Sequence, residues 1–213
     1  MGRISTIVVL LLTCLGGPPA RHGLHASSDR GNVVALLDGP TRWLMLPDEE
    51  RRSRRLKTVR EAVAFIEDFW LRRDPDPRAP GNETSKLFYE RVEAADELYG
   101  DDGGDGVRGS MTDRGRALVL LGSPPTLRYS QKRVPSWRPG PSGSRPLVDT
   151  QNLVVETWVY RLSELPAPLA ELVTAETGAG QIELSFAVER RGTHLIDGEK
   201  YLQLAALALV REP

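Results

Sequence analysis

Four carboxylates carry the residue type needed for general acid–base chemistry, and they are spread through the sequence: Asp74, Glu83, Asp113 and Glu156. A pair of carboxyl groups on either side of a scissile bond is the arrangement that glycoside hydrolases use. Nothing in the spacing of these four residues brings two of them together. A carboxylate-dependent hydrolase acting on a polymer is therefore one hypothesis, and it requires two of these side chains in a single open cleft.

Other catalytic chemistry finds little support in the residue types. The chain has three histidines and one cysteine, and His22, His25 and Cys14 all lie near the N-terminus, which leaves only His194 in the main part of the chain. A zinc site built from several histidines or cysteines is thereby excluded. Phosphate-loop, nucleophile-elbow and dinucleotide-binding motifs are absent from the sequence. We predict no catalytic residue, no metal site and no cofactor.

The acidic run Asp101–Gly106 suggests calcium, but its spacing does not fit an EF-hand loop. That pattern needs an oxygen-bearing side chain where Gly103 stands and a glutamate where Thr112 stands. A solvated acidic loop is the simpler interpretation.

The N-terminal residues predict export. Arg3 precedes an apolar run from Ile4 to Leu15, which as a helix would cover about 18 Å and is too short to span a bilayer, so it is typical of a signal peptide. Cys14 resembles the cysteine of a lipoprotein box, although Thr13 stands where a small residue is usual. Either Cys14 is the lipid attachment site, or an ordinary signal peptide is cleaved later, for example after Ala26. Residues 1–26 are interpreted as leader and tether of a periplasmic or membrane-anchored protein.

The net charge of −1 gives no electrostatic reason to expect a nucleic-acid partner. A local basic region lies in Thr126–Asn152, which is rich in Pro, Gly, Ser and Arg, lacks periodicity and is predicted to be a long irregular loop. Two interpretations stay open: the loop binds an anionic or glycan surface, or it is disordered. Its basic and aromatic residues are Arg128, Tyr129, Lys132, Arg133, Trp137, Arg138 and Arg145.

Helix signals dominate the first half of the chain. A helix is predicted to start at Pro47, a second at the capping box Thr58–Glu61, and a third from about Asn82 or Thr84 to Tyr99. The apolar residues of the second helix fall on one helical stripe and are predicted to be core: Val59, Ala62, Val63, Ile66, Phe69 and Trp70. The run Ala117–Leu121 lies between turn-forming residues and predicts a short buried strand.

The second half shows strand signals. Alternating residues predict strands at Leu153–Leu162 and Gln181–Glu189, a short helix is predicted at Leu169–Ala175, and Tyr201–Val210 fits helix or strand equally. Together these signals predict one α+β domain over residues 33–213, with N-terminal helices packed on a small, mainly antiparallel sheet.

An ordered series of motifs resembles the GWxTD domain family over about Trp43 to Phe186. The motifs are Phe69–Pro75, Asn82-Glu83, Arg91-Val92, Gly109–Arg116, Gly122–Pro125 and Glu156–Tyr160. The resemblance implies an exported bacterial protein, often lipoprotein-like, with no assigned activity. This chain has Ser110 where the family motif has its tryptophan.

Six charged residues in or near these motifs are the candidate binding residues: Asp113, Arg73, Asp74, Glu83, Arg114 and Arg116. The arginines among them can form ion pairs with Asp113 or Asp74, in which case the motif is structural, or the same residues can face a ligand. The leading hypothesis is an exported binding or scaffold module without catalytic activity. Its expected partner is an envelope protein or an anionic or glycan surface, with membrane association through a lipid at Cys14.

Overall fold

A computed structural model of the protein describes residues 37–102, 106–138, 147–189 and 192–210. The predicted leader, its cleavage site and Cys14 lie outside the described residues. The described chain forms two compact units: one from the residues up to Glu90 together with those from Ala206 on, and one from Arg91–Ala205. Each unit is described by itself below.

The first unit is helical, as its sequence predicts. A 3₁₀ turn at Pro40–Leu44 precedes α1 (Pro47–Ser53), α2 (Val59–Leu71) and the first part of α3 (Glu83–Tyr99). The capping box of α2 is confirmed, since the Glu61 amide donates to Thr58 Oγ1 at 3.2 Å and the Thr58 amide donates to Glu61 Oε2 at 3.1 Å. Hydrogen bonds from the amides of Lys57 and Thr58 lower the pKa of Glu61.

The core of this unit is a chain of aromatic rings. Phe65, Phe69, Trp70 and Phe88 are buried, and consecutive ring centroids lie 6.3, 5.1 and 5.2 Å apart. These distances are those of favourable edge-to-face and tilted ring pairs. The apolar stripe of α2 therefore packs inward, as the helical spacing of its residues predicts.

The second unit combines helices with a four-stranded antiparallel sheet of strand order β1-β2-β3-β4. The strands are β1 (Thr126–Arg138), β2 (Leu147–Arg161), β3 (Gln181–Glu189) and β4 (Gly192–Asp197). The helices that begin in this unit are α4 (Asp113–Leu121), α5 (Ala167–Thr177) and α6 (Glu199–Ala208). The predicted α+β class is confirmed, and the ambiguous segment Tyr201–Val210 is helical over most of its length.

The inner face of the sheet follows the predicted alternation. Ile182, Leu184 and Phe186 of β3 are fully buried, and they lie across from Tyr160, Trp158 and Glu156 of β2. Trp158 also contacts Tyr99 of α3, with ring centroids 6.1 Å apart.

The predicted strand Ala117–Leu121 is wrong, because this run forms the second half of helix α4. The helix begins four residues earlier than the apolar run, since Thr112 caps it and Asp113 places a carboxylate at its positive end. Every residue from Ala117 to Leu121 is buried. A short helix buried on nearly all sides shows no polar stripe, so its sequence resembles that of a buried strand.

The irregular loop predicted at Thr126–Asn152 is also wrong. Thr126–Arg138 and Leu147 onward are antiparallel strands, paired from Thr126 opposite Val159 to Arg138 opposite Leu147. Residues 139–146 of the predicted loop lie outside the described residues. The alternation that marks a strand is missing because every residue from Thr126 to Arg133 is exposed, so neither face of β1 requires apolar residues there.

Candidate functional site

Two glycines allow a close backbone approach at the centre of the family motif, the segment Gly109–Gly115, which we call the motif joint. A Cβ atom on Gly109 would overlap the backbone of Ala95 and Asp96 in α3. A Cβ on Gly115 would overlap the backbone of Gly109 and Ser110. The chain therefore packs backbone against backbone at both positions, which only glycine permits.

Thr112 and Asp113 fix the start of α4. The Gly115 amide donates to Thr112 Oγ1 at 3.1 Å, and the Thr112 hydroxyl donates to the Gly109 carbonyl at 2.7 Å. The Asp113 carboxylate accepts a hydrogen bond of 2.7 Å from the Leu195 amide in β4. These two motif residues therefore connect the joint to its helix and to the sheet.

Ser110, at the family's tryptophan position, is completely buried. Its amide donates to Asp96 Oδ1 at 2.8 Å, and Arg108 binds the other carboxylate oxygen of Asp96. Burial opposes ionisation of Asp96, but the hydrogen bonds from Ser110 and Arg108 outweigh it and lower the pKa of that carboxyl. The side chain at position 110 thus points into the protein and packs the joint.

Arg114 joins two carboxylates beside the inner face of the sheet. Its guanidinium donates to both oxygens of Asp102, at 2.6 and 2.5 Å, and to Glu156 Oε2 at 3.2 Å, while lying 4.9 Å from the centre of the Tyr99 ring. Glu156 is buried, and its Oε1 also accepts a hydrogen bond of 2.5 Å from Trp158 Nε1. Burial disfavours the charge on Arg114, but Asp102 and Glu156 outweigh that effect and raise its pKa.

Helix α4 is held at its far end by Arg91, which the sequence shows only as part of a motif. Its guanidinium donates to the carbonyls of Val119 and Leu120 at 3.3 and 3.2 Å, and burial lowers its pKa. The Tyr160 hydroxyl donates to the Gly122 carbonyl at 2.9 Å. These bonds satisfy carbonyls that a helix end leaves without intrahelical partners.

Arg116 of α4, another candidate binding residue, forms an ion pair with Glu199 and donates to both of its carboxylate oxygens, at 2.9 and 2.7 Å.

Of the three candidates in the first unit, Arg73 and Asp74 have intramolecular contacts, and Glu83 is exposed. Arg73 is 1 % exposed and binds both oxygens of Glu49, at 2.9 and 2.7 Å, and the Leu44 carbonyl at 2.7 Å. Asp74 is buried, and its Oδ1 accepts a hydrogen bond of 3.0 Å from the Asp76 amide. This bond stabilises the turn after α2. Glu83 is exposed as the first residue of α3.

A shallow pocket of about 550 Å³ next to the motif is lined by Asp113 and Leu195–Lys200. In the described parts of the chain, no group of three or more His, Cys, Asp or Glu residues is arranged to hold a metal ion. The polar residues of the joint are engaged with the protein itself.

The outer side of β1 contrasts with the joint, and we call its exposed residues Thr126–Arg133 the β1 edge. In the described sheet β1 pairs with β2 alone. Tyr129 is 65 % exposed and Leu127 48 % exposed. Arg128 lies 3.5 Å from Glu183, with both side chains largely in solvent. An edge of this kind presents backbone N–H and C=O groups together with side chains.

A family model for the GWxTD domain matches residues 30–139, which include α1 to α4 and the joint. The chain belongs to the GWxTD domain family. No curated protein and no solved structure matches it. In this GWxTD protein the motif residues Gly109, Thr112 and Asp113 have the structural contacts described above. Glu156 of β2, which binds Arg114, lies outside the matched residues. Among the described residues, none of the helices has the length and apolar character needed to cross a membrane.

Proposed function

We propose that this GWxTD protein is an exported binding or scaffold module of the cell envelope, and that it contacts its partner through the β1 edge rather than through catalysis. The observation that carries the proposal is the continuous exposure of Thr126–Arg133 on a strand that has a neighbour on one side only. Exposed edge strands recruit partners through main-chain hydrogen bonds, and the side chains add specificity.

The side chains of the β1 edge fit a binding role. Arg128, Lys132 and Arg133 supply positive charge, and Tyr129 supplies an exposed ring. Tyrosine and arginine are enriched where proteins meet, because each combines apolar area with polar reach.

The alternative, a carboxylate-dependent hydrolase acting on an envelope polymer, receives less support from the geometry. Asp113 accepts the Leu195 amide, and Glu156 is buried against Arg114 and Trp158. A general acid or base must reach the proton that it transfers, and both carboxylates already have intramolecular partners.

The export part of the proposal comes from the N-terminal sequence and is tested by cell fractionation. We expect the full chain in the envelope fraction and the Cys14→Ser variant released in soluble form outside the cytoplasm if Cys14 carries a lipid. If the unmodified chain and the Cys14→Ser variant are released alike, this result would favour cleavage of the signal peptide without attachment of a lipid. Both variants retained in the cytoplasm would contradict the proposal.

The binding part is tested by cross-linking in the cell from a photoreactive amino acid at Tyr129. The matched control carries the same amino acid at Glu176, an exposed position on α5. We expect a discrete cross-linked species from Tyr129 that the control does not give. The same pattern from both positions, or no product from Tyr129, would overturn the proposed binding surface.

A further inference from the structure

We propose that the β1 edge binds an extended acidic peptide segment of another protein, which adds to the sheet as a fifth strand beside β1. This inference rests on the proposed binding function and specifies its partner class. It depends on the open edge, on the charge of β1 and on the arrangement of its side chains.

The edge offers hydrogen-bonding groups to a new strand. One side of β1 pairs with β2 along its whole length, and the described sheet has no strand on the other side. Pro135 has no backbone N–H to donate to a neighbouring strand. The stretch of β1 available for continuous pairing therefore runs from Thr126 to Val134.

The charge of β1 selects an acidic partner. Its residues include Arg128, Lys132, Arg133 and Arg138 and no aspartate or glutamate. Arg128 and Lys132 lie on one face of the strand, while Leu127, Tyr129 and Arg133 lie on the other, because successive residues alternate. A complementary strand has acidic residues opposite Arg128 and Lys132, and residues able to pack on Leu127 and Tyr129 on the other face.

A second copy of this chain does not meet that requirement. Antiparallel pairing of two β1 strands centred on Ser130 would place Arg128 of each copy directly opposite Lys132 of the other. Like charges directly opposite each other destabilise a strand pair. The cations thus oppose self-association and favour an acidic strand.

The test uses purified full-length Cys14→Ser protein and labelled peptides of about nine residues, the length of the Thr126–Val134 stretch. The probe alternates Glu and Val. One control peptide has Gln for each Glu. A second keeps the Glu residues but carries an N-methyl group on every backbone amide, which removes the N–H donors from both edges of the peptide and prevents strand pairing. We expect the probe to bind at least about tenfold more tightly than either control, because charge and main-chain bonding both contribute.

The matching protein variant is Arg128→Glu with Lys132→Glu, and its control is Arg55→Glu with Lys86→Glu, an equal charge change at exposed positions outside β1. We expect the first pair to weaken probe binding at least about tenfold and the control pair to leave most of the affinity. Equal binding of the N-methylated peptide would overturn strand addition, and equal weakening by both pairs would overturn the site.

Two further outcomes distinguish this inference from the proposed function. If no peptide binds while Tyr129 still cross-links a partner in the cell, the acidic strand is wrong and the binding function stands. If no peptide binds, Tyr129 gives no cross-link, and the neutral Arg128→Ala, Lys132→Ala protein self-associates, then the cations only protect the edge from pairing and both proposals fail.

Discussion

The motif joint and the β1 edge lie close together in sequence, yet they use polar residues in opposite ways. In the joint, Thr112 bonds to Gly109 and Gly115 of the same segment, while Asp113 and Arg114 bond to strands of the sheet. On the β1 edge, Arg128 and Lys132 extend into solvent, and the Arg128–Glu183 pair is long and exposed. The polar groups of the joint stabilise the fold, whereas those of the β1 edge remain accessible to a partner.

This difference separates the family motif from the candidate binding surface. Glycines at positions 109 and 115 allow the backbones of α3, the joint and α4 to pack directly against each other. The hydrogen bonds of Thr112 and Asp113 stabilise this packing. A motif made of glycine, a cap residue and an anchoring carboxylate needs no ligand to account for it. On β1, an edge strand of the described sheet, the residues Thr126–Arg133 are exposed instead.

Gly115→Ala should break the joint most severely. The added methyl group meets the backbone of Gly109 and Ser110 rather than a mobile side chain, so the chain must shift. We expect a loss of about 3 kcal/mol in the free energy of unfolding, measured by urea denaturation. Gly180→Ala is the control, because no atom lies within 4 Å of a Cβ placed there, and it should change stability by less than about 0.5 kcal/mol. Similar stability for Gly115→Ala and wild type would show that the joint is not closely packed.

Sequence patterns identify the first unit well because its signals are local. The capping box at Thr58 and the stripe ending at Phe69 and Trp70 each lie within a few residues, and the structure confirms both. The same holds for β3, where one buried face produces clean alternation. The antiparallel sheet follows from such strands, so the fold class is predictable.

The second unit departs from prediction where distant residues decide the structure. Helix α4 ends against the guanidinium of Arg91 and near the Tyr160 hydroxyl, both far away in the chain. Strand β1 has polar residues on both faces, and only its pairing with β2 reveals it. The partners of Asp113 and Arg114 likewise come from β4 and β2, so the sequence identifies the motif residues without assigning their contacts.

Asp96→Asn tests the electrostatic side of the joint through its pH dependence. The pKa of Asp96 is lower in the folded protein than its ordinary value. Its stabilisation is therefore complete above about pH 4 and disappears as the pH falls through the folded-state pKa. We expect Asp96→Asn to lower the unfolding free energy by about 1 kcal/mol at neutral pH, and the difference between the two proteins to shrink as the pH falls below about 4. A difference that stays constant across this range would show that the carboxylate charge is not responsible.

The smallest effect on stability is expected at the β1 edge, from Arg128→Ala combined with Lys132→Ala. Both side chains are exposed, and the Arg128–Glu183 separation of 3.5 Å between exposed groups is typical of ion pairs that contribute little. The unfolding free energy in urea should change by less than about 0.5 kcal/mol. A loss comparable to that of Gly115→Ala would mean that β1 depends on these cations for its own structure. If stability is unchanged, any effect of the same positions on peptide binding reports on the interface alone, because the fold that presents the edge is intact.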